Sequence, residues 1–238
     1  LLIYGIKSKK FPSFSKAQAS KILLLSAVQI AGNYFFYYLG LSVTAGSVAS
    51  VLNSFDTFCT VLTVPLIFKD DKLTLKKFLG CAVGISGIIL INLGSDGIST
   101  FKFTGEGFLL ISALFSTAGI MINKKAASDT DPMIVTGYHL LFGGAALTAA
   151  ALALGGKISF SSPKADLCLL YLAMVSAAAF FIWSALLKYN PVSKVSIFKL
   201  MTPIFGNVFS FLALGENILT PLHLLSLLLV CLGIAAVN

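Results

Sequence analysis

Apolar residues in this chain fall in long unbroken runs, not at alternating positions. Eight runs stand out, at 22–41, 45–68, 78–93, 107–122, 132–154, 167–187, 195–214 and 221–237. A run of about 18 or more apolar residues predicts a helix that crosses a bilayer. In hydrocarbon every backbone N–H and C=O must be satisfied within its own segment, which a helix achieves. Membrane strands would alternate apolar and polar residues over about ten positions, and these runs do not. Lys, Asp, Glu, Gly and Pro clusters bound the runs, as turns and interfaces require. Residues 1–6 read as the tail of an earlier helix. The Lys7-Ser8-Lys9-Lys10 that follows puts charge after the apolar stretch, the reverse of a signal peptide.

Composition agrees. The 238 residues are 57% hydrophobic and only 11% charged, with a mean hydropathy of +0.94. A soluble domain carries about 25% charged residues. The expected partner of this surface is the lipid bilayer, and the fold class is an all-α membrane protein.

The net charge of +8 is distributed in a way that sets topology. Lys7, Lys9, Lys10, Lys16 and Lys21 precede the first complete run. Lys69, Lys72, Lys76 and Lys77 follow the second, Lys124 and Lys125 the fourth, and Lys188 and Lys194 the sixth. The intervening loops hold only Lys102, Lys157 and Lys164. The positive-inside rule places the lysine-rich loops in the cytoplasm of a multi-pass cell-membrane protein. A nucleic-acid partner would require one basic face, so none is expected.

The chain also repeats itself. A shift of about 146 residues brings 78–92 (FLGCAVGISGIILIN) onto 224–238 (LLSLLLVCLGIAAVN), with Gly87 on Gly233 and Asn92 on Asn238. Asp70 then meets Glu216, and Ser47 and Ser50 meet Ser193 and Ser196. This divides the chain into a first, incomplete repeat at 1–103 and a second at 104–238. Five spans per repeat is an odd number, so the two halves must enter the membrane in opposite senses. Inverted repeats mark secondary transporters, whose sites lie near the midplane between the halves.

The stretch Gly105-Glu106-Gly107-Phe108, then Asn123-Lys124-Lys125, Asp131-Pro132 and Gly137-Tyr138-His139 through Gly143-Gly144, resembles the EamA-type drug/metabolite transporters. Tyr38-Leu39-Gly40-Leu41, Ala45-Gly46-Ser47 and Pro65 carry the likeness in the first repeat. The resemblance implies ten helices in two inverted five-helix repeats. Helix 1 and most of helix 2 of that fold have no counterpart in this sequence. It also implies cytoplasmic termini and transport of a small metabolite or drug, often export.

Charges inside hydrocarbon are costly and normally face a cavity or a partner. Asp56 and Lys199 are two such charges, on runs that are repeat mates; Asn53 is the mate of Lys199. The expectation is that Asp56 and Lys199 face one central cavity and pair across it, binding a zwitterion or parting as substrate enters. A structural bridge between helices is the competing explanation. Polar neighbours add to the candidate binding set: Gln29, Asn33 and Tyr37 at helical spacing, Asn53 on the Asp56 stripe, Thr202 beside Pro203, and Trp183 as the mate of Tyr37. Asp56 and His139 are the candidates for proton coupling. Pro65 and Pro203 are expected to kink their helices. Gly80, Gly84 and Gly87 are read as packing positions, in a homodimer contact or within the chain.

Other chemistry lacks its motifs. No cysteine pair or His–Cys spacing points to a metal, no phosphate loop points to nucleotide hydrolysis, and no cofactor is expected. An intramembrane enzyme would need a clustered catalytic set, which is missing. The function expected is secondary transport of a small-molecule substrate, an amino-acid-like zwitterion or drug, by alternating access, with a proton or counter-substrate as partner. A nucleotide-sugar or phosphate-ester carrier is the alternative within that class. A channel or non-transporting scaffold is the alternative outside it.

Overall fold

A computed structural model of the chain describes residues 15–68, 72–93, 101–157 and 162–237. All regular structure among them is helical. Eight helical segments follow in order: α1 Lys16–Leu41, α2 Gly46–Ile67, α3 Leu75–Leu93, α4 Phe103–Asp129, α5 Pro132–Ala153, α6 Pro163–Tyr189, α7 Val192–Leu214 and α8 Pro221–Val237. They match the eight predicted runs one for one. Among the described residues, six helices, α1, α2 and α4 to α7, are long and apolar enough to cross a membrane, and α8 is a shorter apolar helix. The tail at residues 1–6, Lys7, Lys9, Lys10, Lys69 and Asp70 lie outside the described residues, as do the side chains of Asn92 and Asn238.

Helix ends extend beyond the apolar runs because polar residues cap them. Ser15 accepts from the Gln18 backbone N–H while the Gln18 side chain accepts from the Ser15 N–H, a reciprocal box that starts α1. Asp131 caps α5 and Ser162 caps α6, each followed by a proline at the first helical position, where its missing N–H costs nothing. α4 runs on through Asn123, Lys124 and Lys125 to Asp129. Polar residues extend a helix into the interface as readily as apolar ones inside hydrocarbon.

Four helices are irregular. α4 opens with a π-helical stretch at Phe103–Gly107. α1 widens to a π-helical stretch at Ser26–Gly32. α2 is interrupted at Ser54, between Gly46–Asn53 and Phe55–Ile67. α7 comprises Val192–Ser196, a tight 3-10 turn at Ile197–Leu200, and Met201–Leu214. The interruptions at Ser54 and Leu200 lie 146 residues apart, the offset of the expected repeat.

The helices fall into two compact units, and each unit draws on both halves of the chain. One comprises Leu1–Gly32 and Gly119–Asn190, the other Asn33–Ala118 and Pro191–Asn238. In the first, Leu25, Ala126 and Val135 form a small core, and Gly143 lets α5 sit against Ile30 and the Ser26 carbonyl. No residue in the most apolar stretch of α6 is buried. In the second, Leu52, Phe58, Val61, Cys81, Ile88, Leu109, Val230 and Ile234 belong to one core. There α3 and α8 touch along their length: a Cβ on Gly233 would lie 2.6 Å from Gly84 Cα, and Ser226 Oγ donates to the Gly87 carbonyl at 2.6 Å. Gly80, Gly84 and Gly87 are therefore packing positions filled by α8 and Phe58 of the same chain.

Candidate functional site

The second unit holds a buried carboxylate at a helix start. Interruption of α2 makes Asp56 the second residue of Phe55–Ile67, where the free N–H groups of a helix N-terminus favour a negative charge. Lys199 lies in the turn that ends the first part of α7, where a helix C-terminus favours a positive one. The two form an ion pair through Asp56 Oδ2 and Lys199 Nζ. The carboxyl side chain is only 7% exposed and the lysine side chain 16%.

Hydroxyl groups complete the carboxylate's shell. Ser116 Oγ donates to Asp56 Oδ2 at 2.7 Å and Thr57 Oγ1 to Oδ1 at 3.1 Å. Thr117 Oγ1 is 3.1 Å from the Asp56 carbonyl and 3.0 Å from that of Ala113. A buried charge is tolerable when paired and hydrogen-bonded in this way. Beside the pair lies a cavity of about 50 Å³ lined by Asn53, Ser54, Asp56, Thr57, Lys199 and Thr202. That is room for water; sites for drug-sized ligands measure about 300–1,000 Å³.

One turn away along both helices the polar contacts continue. Asn207 Nδ2 donates to Ser50 Oγ at 3.1 Å and to the Pro203 carbonyl at 2.8 Å, while its Oδ1 bonds His223 Nε2. At the start of α2, Glu216 accepts from the backbone N–H groups of Gly46 and Ser47, both at 2.8 Å. Burial pushes the Glu216 carboxyl up, but the Ser47 hydroxyl and these two N–H groups together bring it below its ordinary value.

The expected site residues divide between the units. Asp56, Lys199, Asn53 and Thr202 meet at the cavity. Asn33 and Tyr37 belong to the same unit, and Tyr37 packs on the core with its ring edge-on to Tyr34 and Tyr38. Gln29, Trp183 and His139 belong to the first unit. Gln29 is buried in the π-helical stretch against Gly119, and Trp183 is half-buried. His139 is fully buried, with Nδ1 donating to the Val135 carbonyl at 3.1 Å and the ring edge-on to Phe180. Pro203 sits three residues into the last part of α7, just past the interruption, whereas Pro65 lies inside a helix that continues to Ile67.

Sequence reasoning missed Ser116, Thr117 and Thr57 as partners of Asp56, and His223 as the partner of Asn207. Hydroxyl residues on apolar helices commonly bond their own preceding turn, so sequence carries no signal to separate those that reach across. It also missed Lys124, whose ammonium caps the end of α6 through the carbonyls of Leu187 and Asn190 at 3.2 and 2.8 Å.

No group of three or more His, Cys, Asp or Glu that could hold a metal occurs among the described residues.

Comparison with known proteins bears on this arrangement. A chloroplastic WAT1-related protein of Arabidopsis thaliana is 23% identical over 76% of this chain, which spans only 46% of that protein's length. An uncharacterized transporter of Synechocystis is 26% identical over 92% of this chain and 71% of its own. The uncharacterized transporter YoaV of Bacillus subtilis is 24% identical over 98% and 80%. A solved crystal structure shares the fold at a TM-score of 0.74, covering 99% of this chain and 82% of that one at 15% identity. The EamA-like transporter family matches residues 1–93 and 103–238, so nearly the whole sequence is accounted for. This multi-pass helical membrane chain belongs to the EamA-like transporter family.

Proposed function

We propose that the protein is a secondary carrier for a small zwitterionic metabolite or an amine-bearing drug, and that Asp56 and Lys199 are its binding pair. The observation that carries this reading is a buried ion pair placed where two repeat-mate helices are interrupted. Interrupted helices in transporters present their ends to polar solutes. A substrate ammonium would replace Lys199 at Asp56, and a substrate carboxylate would replace Asp56 at Lys199. Each charge thereby exchanges one partner for another and is never left bare in low dielectric. The water-sized cavity corresponds to a closed form, and the pair must part for a solute to enter.

Export across the cell membrane by alternating access, with lysine-rich loops cytoplasmic, completes the reading. Asp56 is the candidate for proton coupling, since loss of its ion pair leaves a carboxylate that a proton can neutralise. A phosphate-bearing substrate is disfavoured, because it would call for several cations. Among the described residues Lys199 is the one cation lining the cavity, and its ammonium already bonds Asp56.

The test is ligand-dependent thermal stabilisation of the purified full-length protein with amino acids, other metabolites and cationic drugs. Asp56→Asn and Lys199→Ala are measured beside it. One ligand class should stabilise the parent and neither variant. Equal stabilisation of all three proteins would make the pair a structural bridge only.

A further inference from the structure

The lysine-poor end of α5, in the first unit, carries a groove that the ion pair does not use. Its volume is about 330 Å³, and it is lined by Leu147, Thr148, Ala151, Leu152, Gly156 and Lys157. The cavity beside Asp56 has room for water only, whereas this groove reaches the size of ligand sites, about 300–1,000 Å³.

The groove follows from local sequence. Leu147, Thr148, Ala151 and Leu152 stand one and four residues apart, so they share one face of the last turns of α5. Two glycines then reverse the chain. Gly155 has φ 85°, a left-handed conformation open to a residue without Cβ. Its N–H donates to the Leu152 carbonyl at 3.0 Å, and the Gly156 N–H donates to the Ala151 carbonyl at 2.8 Å. This is the Schellman pattern that ends a helix. A Cβ on Gly156 would lie 2.7 Å from the Ala151 carbonyl oxygen, so that position also calls for glycine. The turn brings Lys157 back to the wall of the groove.

Depth in the bilayer gives each wall its environment. The 22 residues of α5 rise about 33 Å, close to a hydrocarbon thickness of about 30 Å. Leu147, Ala151 and Leu152 therefore lie at the depth of acyl chains, and Lys157, four residues past the helix, lies at the depth of headgroups. Leu152 is 49% exposed, and Thr148 and Ala151 are exposed as well, so this face of α5 meets lipid. Lys157 is exposed and takes part in neither ion pair among the described residues, Lys21–Asp129 or Lys199–Asp56. Its ammonium has three N–H donors to offer an anion.

We propose that this groove binds an anionic phospholipid from the leaflet on the lysine-poor side. The phosphate pairs with Lys157, and one acyl chain lies along Leu147, Ala151 and Leu152. A headgroup with net negative charge is preferred to a zwitterionic one, whose own ammonium competes with Lys157 for the phosphate. A free phosphate ester gains the ammonium but leaves the apolar wall uncovered. The lipid is a ligand of the folded chain and stabilises it by mass action. The site is independent of what Asp56 and Lys199 bind.

The experiment is native mass spectrometry of delipidated full-length protein titrated with phosphatidylglycerol, phosphatidylcholine or glycerol phosphate. The parent should retain one phosphatidylglycerol in preference to phosphatidylcholine, and glycerol phosphate should not displace it. Lys157→Gln should weaken phosphatidylglycerol binding about fivefold, the size expected for one lysine at an anionic surface, and leave phosphatidylcholine unchanged. Lys157→Arg should restore the preference. Ala151→Trp, which fills the groove from an exposed position, should weaken both lipids. Lys102→Gln removes the same charge from the lysine-poor side, outside the groove, and should change nothing. A parent without preference for the anionic lipid overturns the proposal before any variant is made. Equal losses in Lys157→Gln and Lys102→Gln overturn it in favour of general surface charge. Displacement by glycerol phosphate, or full binding in Ala151→Trp, overturns it by removing the acyl chain from the site.

Discussion

The polar interiors of the two units differ in how they are satisfied. In the second unit Asp56 has a cation and two hydroxyl donors, and Asn207 spends both amide hydrogens and its oxygen. In the first, Asn123 accepts from Ser184 at 2.9 Å, yet Asn123 Nδ2, Gln29 Oε1 and His139 Nε2 are buried without protein partners, whereas the buried atoms left without one in the second unit are two hydroxyls, Thr44 Oγ1 and Thr60 Oγ1. A buried charge left without partners costs far more than a buried neutral amide, imidazole or hydroxyl. The Asp56 site is thus the part of the interior least forgiving of substitution.

The largest expected effect follows from breaking the ion pair. Lys199→Ala leaves a buried carboxylate with only hydroxyl donors and should cost about 3–5 kcal/mol, read as thermal unfolding in detergent. Combining it with Asp56→Asn should recover much of that loss, because the uncompensated charge is gone. His139→Gln in the first unit should cost far less; an equal loss there would erase the contrast.

Glycines sharpen it at a smaller scale. A Cβ on Gly84 would overlap the Phe58 ring, so Gly84→Ala should destabilise by about 1–3 kcal/mol. Gly144 on α5 has nothing within 4 Å of such a Cβ, and Gly144→Ala should be neutral or stabilise by up to about 1 kcal/mol through helix propensity.

The smallest effect concerns the Glu216 clasp. Its carboxyl is held below the ordinary 4.5, so it stabilises the folded chain above that pH and stops doing so as pH falls through the lowered value. Glu216→Gln should lose about 0.3–1 kcal/mol near neutrality and show a flatter stability profile at acid pH. A profile identical to that of the parent would show that the clasp contributes nothing to stability.

Much of this was legible in the sequence, and residues show why. Helix number followed from run length, because few other arrangements satisfy a backbone in hydrocarbon. The pairing of Asp56 with Lys199 followed from the cost of intramembrane charge and from their place on mate runs. Proline was a partial guide: the interruption of α7 falls just before Pro203, but that of α2 falls at Ser54, far from Pro65. Ser54 donates back to the Ser50 carbonyl, a contact that bends helices, but serines on many helices make it, so the sequence did not single this one out. The π-helical stretch at Ser26–Gly32 was equally silent, and it places Gln29 and Asn33 in a register that α-helical spacing does not describe. Hydroxyl partners went unseen because Ser116 and Thr117 differ in sequence from no other helical serine or threonine.

α6 carries one more consequence. Its 27 residues span about 40 Å at the helical rise, against a hydrocarbon thickness of about 30 Å. No residue in its most apolar stretch is buried, and α5 meets α6 through Thr136 at the Phe180 carbonyl and His139 edge-on to the Phe180 ring. A helix longer than the hydrocarbon is accommodated by tilt or by local thickening of the bilayer, so a change of bilayer thickness is expected to act on its angle. Lys188, bonded to the Thr130 carbonyl at 3.3 Å near one end, passes that tilt to the junction of α4 and α5. Membrane thickness is therefore a variable to which the first unit is mechanically tied.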